Sequence, residues 1–294
     1  MSDVLVRETV HASVSPEPTS RRRRVTPRAV GGRIGVAVSV AVLIVAVGFA
    51  VVPSLFASGD PLRGVPAEKL QGPSAAHWFG TDNIGRDVWT RVVHGAGLSL
   101  SATLMAVAIA LVAGSILGLI GGAVGGIVDA VLMRLVDVLL SIPTLLLALA
   151  LVTALGFGTV NVAIAVGVTL VASVARVMRS EVLRVRRSLY VEAAFASGSR
   201  WHTVLWTHIL RNAYPPVIAL AAVQFGMAVL AVSSLSFLGF GAVPPTPEWG
   251  SLVSEGRNFL ATSWWLTTLP GLVIVAVVLS AHRVGHALDR GDRA

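Results

Sequence analysis

The chain has 294 residues, of which 54% are hydrophobic and only 13% are charged. Soluble domains carry about 25% charged residues, so this composition excludes an ordinary water-soluble protein and favours one that lies in a lipid bilayer. The formal net charge is +8, and the sequence contains no cysteine, which rules out disulfide bonds and thiolate metal sites.

The first 33 residues are polar and contain three prolines and a run of four arginines at residues 21–24. They lack helical periodicity, which is typical of a segment without fixed structure. Because arginines beside a membrane span usually mark its cytoplasmic end, we predict a disordered basic cytoplasmic tail over residues 1–33 that does not bind nucleic acid. Residues 289–294 are predicted to form a second cytoplasmic tail.

Six stretches are apolar enough to cross a membrane, because a bilayer core needs about 20 mostly apolar residues per helix. They are residues 34–56, 98–119, 138–155, 160–177, 217–238 and 266–284. The sequence therefore predicts an all-α integral membrane protein with six transmembrane helices. Residues 34–97 would hold the first transmembrane helix and an outer loop, and residues 98–288 the core of the protein.

The basic residues predict the orientation of these six helices. With the N-terminus in the cytoplasm, 18 of the 23 Arg and Lys residues fall on the cytoplasmic side and 5 on the outer side. Cytoplasmic loops of membrane proteins carry such an excess of Arg and Lys. Both termini are therefore predicted to be cytoplasmic, in the plasma membrane of a bacterium.

Glycines recur at every fourth position near the end of the second predicted span, at Gly118, Gly122 and Gly126. A phosphate-binding loop would require a Gly-Lys-Ser/Thr sequence, and no lysine is present there. Close packing of two helices is the better interpretation. The sequence also contains no Walker motif, so we expect no ATP-binding site of that type in this chain.

The sequence offers little support for a metal site, a catalytic site or proton coupling. His282 and His286 lie four residues apart on one helix face, but no third ligand is near, so we predict no metal site. No Ser-His-Asp arrangement or paired carboxylates can be placed in one pocket, and we predict no catalytic residue. A proton-coupled transporter would require a carboxylate buried within the spans, and the interiors of the six predicted spans contain none.

The predicted cytoplasmic segment 190–212 contains two short helices with a break at Gly198. Glycine tolerates the left-handed backbone that ends a helix, and the small Ala193 and Ala194 allow another surface to approach closely. Residues 204–210 supply an apolar side that can pack on the membrane-embedded helices. By pattern alone, a docking element for a partner protein and a generic amphipathic interface helix are equally good interpretations.

An amphipathic run framed by prolines, residues 244–265, lies between the last two spans. It predicts a short outer helix that helps to close an outer gate or contacts an extracytoplasmic protein. The candidate residues are Pro245, Glu248, Trp249 and Glu255.

The segment 190–212 resembles the Glu-Ala-Ala…Gly signature of membrane permeases in ATP-binding-cassette (ABC) importers. The resemblance rests on Glu192, Ala193, Ala194 and Gly198, and it continues through residues 208–210 and 212. Arg211 stands where the family usually has proline, while Pro215 and Pro216 are kept, so we expect the second short helix to end later here. The resemblance implies that this segment couples the permease to an ATPase, through Glu192, Ala193, Ala194, Phe195, Gly198 and His208.

Further matches resemble the C-type subunit of the dipeptide/oligopeptide/nickel permeases. They are residues 79–82 (Phe-Gly-Thr-Asp), 85–88 (Gly-Arg-Asp-Val), 141–143 (Ser-Ile-Pro), 236–239 (Ser-Phe-Leu-Gly) and 244–250 (Pro-Pro-Thr-Pro-Glu-Trp-Gly). Together the matches extend over about residues 78–279. The C-terminus departs from the family, because Gly-His-Ala-Leu at residues 285–288 replaces the usual Gly-Asp-Gly-Leu.

This resemblance implies the architecture of a type I ABC importer permease, with no cofactor in the chain itself. The implied partners are a second homologous permease, two ATPase domains that bind ATP and Mg, an extracytoplasmic substrate-binding protein and membrane lipid. Peptides are the implied cargo, with nickel or glutathione as alternatives. A proton-coupled secondary transporter and a membrane assembly protein without transport remain as rival interpretations.

Overall fold

The computed structural model describes the backbone of residues 28–291 and the side chains of residues 34–287. Within this part of the chain the regular structure is helical, apart from one isolated bridge between Thr81 and Asp87. The predicted all-α class is therefore confirmed. The predicted N-terminal tail lies outside the described residues as far as residue 27, and the first helix begins at Arg28.

Ten α-helices follow one another along the described chain. They are α1 (Arg28–Val51), α2 (Val88–Val124), α3 (Gly126–Ser141), α4 (Thr144–Leu155), α5 (Thr159–Arg186), α6 (Leu189–Ala196), α7 (Trp201–Val204), α8 (Arg211–Phe237), α9 (Trp249–Gly256) and α10 (Trp265–Gly291). Short 3₁₀ turns occur at Pro53–Leu55, Pro66–Glu68 and Arg257–Phe259. A π-helical segment, Leu205–Leu210, joins α7 to α8.

Five of these helices are long and apolar enough to cross a membrane: α1, α2, α5, the continuous helix Trp201–Phe237, and α10. The predicted third span is instead a pair of helices, α3 and α4, which meet at an angle of 96°. Ile142 at the break is extended, because the residue before a proline is disfavoured in the α conformation. Residues 28–291 thus contain six candidate spans if this bent pair is counted as one.

Two long helices begin earlier than the predicted spans. Helix α2 starts at Val88 because the carboxylate of Asp87 caps it, accepting a hydrogen bond of 2.7 Å from the Thr90 N–H. The fifth span starts at Trp201 and continues through Pro215 and Pro216 to Phe237. The expectation of a second short helix in the segment 190–212 was therefore wrong, since this helix is the beginning of the fifth span.

Helices α2 and α5 pack closely through the predicted glycines. A Cβ atom built on Gly118 would lie 2.7 Å from the Cβ of Met178, and one on Gly122 would lie 2.8 Å from a Val182 methyl group. Only glycine allows the two backbones to approach so closely. Gly126 has a different position: its φ of +58° places it in the turn between α2 and α3, and no atom lies within 4 Å of its Cβ position.

Two ion pairs connect the bent pair to α5. Arg179 binds the Asp129 carboxylate with two contacts of 2.5 Å, and Arg176 contacts Asp137 at 2.7 Å. Each of these charges therefore has its counter-ion on the neighbouring helix.

Candidate functional site

The segment between α5 and α8 is a projection that is fastened to the helix bundle by apolar side chains. Val191 of α6, Val204 of α7 and Ile209 of the π-helical segment are all buried. They join the largest hydrophobic cluster of the protein, which includes residues of α2, α5 and α8. Burial of these side chains removes apolar surface from solvent, so the projection is held in one position relative to the spans.

The opposite face of the projection is exposed. Glu192, Ala193, Phe195 and Gly198 all face outward, and Phe195 exposes 40% of its surface. An exposed aromatic ring beside a carboxylate and small side chains is a surface that a partner protein can cover. Four of the six predicted coupling residues thus lie on one accessible surface.

The other two predicted coupling residues have internal contacts. Ala194 is half-buried and packs against the main hydrophobic cluster. His208 is half-buried, and the centre of its ring lies 6.4 Å from that of Tyr190 in α6. These two residues therefore connect α6 to the helices behind it.

Gly198 ends α6 in a conformation that requires glycine. Its φ is +82°, the left-handed region that other L-residues disfavour. The Ser199 N–H donates to the Ala194 carbonyl at 3.1 Å, and the Gly198 N–H donates to the Phe195 carbonyl at 3.0 Å. These two bonds form a Schellman motif, which turns the chain sharply from α6 into α7.

At the end of the spans opposite the projection, four charged side chains form a cluster, which we call the outer cap after the orientation predicted from the basic residues. Arg86 Nε contacts Asp82 at 2.6 Å, and Arg91 Nη1 contacts Glu255 at 2.7 Å. Two longer contacts of 3.1 Å, between Arg91 and Asp82 and between Arg86 and Glu255, close the network. Asp82, Arg86 and Arg91 are buried and Glu255 is partly exposed. The network joins the loop before α2 to helix α9.

Glu248 is the acceptor in a second group of polar contacts at the same end of the spans. Its carboxylate accepts hydrogen bonds from the Ser236 hydroxyl at 2.6 Å, the Ala242 N–H at 2.6 Å and the Thr159 hydroxyl at 3.3 Å. These donors lie at the end of α8, in the following loop and at the start of α5. Glu248 is 1% exposed, so its three bonds replace the water that a carboxylate otherwise requires.

Trp249 continues the connection from Glu248 to α2. Its backbone N–H donates to the Ser99 hydroxyl at 3.0 Å, and its indole N–H donates to the Val92 carbonyl at 2.9 Å. The ring itself is completely buried. Glu248 and Trp249 together therefore hold the outer ends of α2, α5, α8 and α9 in contact.

The four predicted outer residues thus have different surroundings. Pro245 is exposed, Glu255 is paired within the outer cap, and Glu248 and Trp249 are inside the protein. The predicted short helix between the last two spans is present as α9. Direct contact of an external protein with Glu248 or Trp249 does not fit this burial, whereas Pro245 and its exposed neighbours are accessible.

Asp82, Arg86, Arg91 and the burial of Glu248 were missed as functional features. The buried Asp82 and Glu248 lie outside the candidate membrane spans, so they are not the carboxylate within a span that a proton-coupled transporter would require. Asp82 and Arg86 lie in the sequence that resembles the permease family, but no role was attached to them. Residues 80–91 contain charges of both signs, but charged residues are mostly exposed, so the sequence alone gave no signal that these side chains are buried and paired.

Comparison with known proteins matches this chain to one family. The model of the family described as "Binding-protein-dependent transport system inner membrane component" matches residues 110–293, more than half of the chain. The probable D,D-dipeptide transport system permease protein DdpC of Escherichia coli (strain K12) is 41% identical over 233 residues, covering 79% of this chain and 78% of that protein. The glutathione transport system permease protein GsiD of Escherichia coli O6:K15:H31 (strain 536 / UPEC) is 39% identical over 217 residues, covering 74% of this chain and 72% of that protein.

A solved structure shares the fold at low sequence identity. A chain of the MetNI methionine ABC transporter, in an inward-facing conformation, superposes with a TM-score of 0.54 and 15% identity. The superposition covers 67% of this chain and 96% of that chain. The resemblance found in the sequence is therefore confirmed at the level of family and fold. The chain belongs to the inner membrane components of binding-protein-dependent transport systems, as a multi-pass permease subunit of an ABC importer.

Proposed function

We propose that this permease carries peptides across the membrane and that the exposed face of the projection at Glu192–Gly198 is where a separate ATPase drives it. The observation that carries the proposal is the combination of an exposed face with a buried apolar side on one rigid segment. A motion imposed on such a segment is transmitted to the spans, because Val191 and Val204 are packed among them.

The proposed complex contains a second homologous permease, two ATPase domains and an extracytoplasmic binding protein. ATP and Mg bind to the ATPase domains, and this chain contributes no ATP site. The excess of arginine at residues 176–211 and in the N-terminal tail supports a cytoplasmic position for the projection and for both termini. The outer cap then faces the binding protein.

Peptide cargo is supported by the relative named for D,D-dipeptide transport. Glutathione is a second candidate, because a relative named for glutathione transport has nearly the same identity. Both cargoes are short chains with amide bonds and charged ends, so one experiment can compare them.

The proposal is tested by copurification and uptake. We expect an ATPase to copurify with the tagged chain, and proteoliposomes with ATP inside and binding protein outside to accumulate labelled di- or oligopeptide. Parallel reactions contain glutathione, nickel ions, or a proton gradient without ATP. Accumulation driven by the proton gradient alone, or purification without an ATPase, would contradict the proposal; accumulation of glutathione but not peptide would select the second cargo.

We also propose that the exposed loop before Glu248 contacts the binding protein. The absence of cysteine from the sequence allows a single one to be introduced. Thr246→Cys, which lies in the exposed part of this loop, is expected to crosslink to the binding protein during turnover. Leu189→Cys, exposed on the projection at the other end, is the control and should not crosslink. Equal crosslinking of both variants, or of neither, would refute the contact.

A further inference from the structure

A continuous cleft runs between α1 and α10. At one end it widens into a cavity of about 710 Å³ beside Arg283, His282 and His286. The adjoining section has a volume of about 420 Å³ and reaches Phe49 and Trp89 at the other end. Val38 and Ala276 line both sections, so the two form one groove with a basic end and an apolar end.

Three nitrogen-rich side chains are gathered at the basic end. Nε2 of His282 and Nε2 of His286 are 3.0 Å apart, and both rings are exposed. The Arg283 guanidinium lies against α1 at Gly35, where an added Cβ would be 3.1 Å from Nη1. Among the described side chains no carboxylate lies within 4.0 Å of this guanidinium. This end therefore has a positive charge and several hydrogen-bond donors.

The depth of Arg283 matches the level of lipid headgroups. Helix α10 rises about 27 Å from Trp265 to Arg283, close to the roughly 30 Å thickness of a bilayer core. The neighbouring Trp264 is exposed, as is usual for a ring at the opposite headgroup level. Arg283 therefore lies at the other boundary of the hydrocarbon, where phosphate groups are found.

The apolar section of the groove has the depth of one leaflet. From Val38 to Phe49, α1 rises about 16 Å, which is roughly half of the bilayer core. The walls between these residues consist of alanine, valine and aromatic side chains. An acyl chain can fill such a groove, and its headgroup then lies beside Arg283.

We propose that the cleft between α1 and α10 is a binding site for an anionic phospholipid. The headgroup phosphate accepts hydrogen bonds from Arg283 and from the imidazoles of His282 and His286. One acyl chain follows the groove past Val38 and Ala276. Basic pockets between transmembrane helices bind anionic headgroups by this combination of charge and apolar contact. The bound lipid would fill the cleft and fix the position of α1 relative to α10.

The test measures lipid affinity of the purified importer complex by native mass spectrometry. The probes are phosphatidylglycerol and, as the neutral comparison, phosphatidylcholine with the same acyl chains. We expect phosphatidylglycerol to bind more tightly, and Arg283→Gln to weaken its binding about fivefold. The same substitution should weaken phosphatidylcholine binding less, because the choline charge of that lipid offsets the charge of its phosphate. Ala276→Phe, which fills the groove but keeps the charges, should weaken the binding of both lipids.

Arg134→Gln is the matched control, because Arg134 is an exposed arginine on α3, away from the cleft. It should leave phosphatidylglycerol affinity unchanged, and all variants should assemble with the same subunits on gel filtration. Equal affinity of Arg283→Gln and the unchanged protein would overturn the proposal. An equal loss of phosphatidylglycerol affinity in Arg134→Gln, or equal affinity of the unchanged protein for the two lipids, would also overturn it. Unchanged lipid affinity in Ala276→Phe would do the same.

Discussion

Gly198→Val is expected to abolish ATP-driven uptake while the complex still assembles in the membrane. A residue other than glycine at φ +82° costs roughly 1–2 kcal/mol, and a β-branched side chain is still less tolerated there. No atom lies within 4 Å of the added Cβ position, so the effect is on the backbone turn and not on packing. Because the turn sets the direction of α6, the exposed Glu192 and Phe195 would no longer face the proposed ATPase correctly.

The matched control for this substitution is Gly198→Asn. Asparagine is the residue that most often replaces glycine in the left-handed position at the end of a helix, so uptake by this variant should remain within about twofold of the unchanged protein. The measurements are peptide uptake in proteoliposomes and the rate of ATP hydrolysis by the same complex. Normal uptake by the valine variant would show that the direction of α6 is not used for coupling.

Arg91→Leu is expected to cause the largest loss of stability. Removal of one partner from a buried ion pair typically costs about 3–5 kcal/mol, because the remaining charge is left without compensation. Arg91 is 1% exposed and faces both Asp82 and Glu255. We expect the melting temperature of the purified complex to fall by about 10 °C, from a few degrees per kcal/mol in chains of this size.

Arg257→Leu is the control for the outer cap. Arg257 is an exposed arginine that directly follows α9, so its replacement should change the melting temperature by less than about 2 °C, as expected for a surface substitution of about 0.5 kcal/mol. Equal melting temperatures for the Arg91 and Arg257 variants would mean that the buried network contributes little to stability.

The inner projection was predictable because its signals are local. The break at Gly198 follows from the backbone freedom of one residue, and the apolar residues 204–210 identify the side that packs. The partner came from resemblance and not from the pattern. The continuity of Trp201–Phe237 was not foreseen, because two adjacent prolines usually end a helix. Here the Arg211 and Asn212 carbonyls left without donors are at exposed positions, where water can satisfy them.

The connection of the outer cap to α9 was not predictable, because Glu255 pairs with residues that are distant from it in the sequence. Arg91 and Glu255 are separated by 164 residues, and charged residues in a loop are normally exposed. Their burial depends on how the loop before α2 folds over α9. The bend at Ile142 has a local cause, because the following proline disfavours a straight helix. It was not predicted, because the stretch 138–155 is apolar enough to suggest one uninterrupted span.

The helix Trp201–Phe237 is a continuous rod about 54 Å long. One end belongs to the projection, and Ser236 at the other end is hydrogen-bonded to Glu248 beneath the outer cap. A tilt of about 5° at the inner end would displace the outer end by roughly 5 Å if the rod stayed straight over that length. The α-helical hydrogen-bond pattern of this helix is altered near the projection, by the π-helical segment Leu205–Leu210 and by Pro215 and Pro216. Bending is therefore favoured close to the projection, and the rest of the helix, as far as Ser236 and its bond to Glu248, can move as a rigid body.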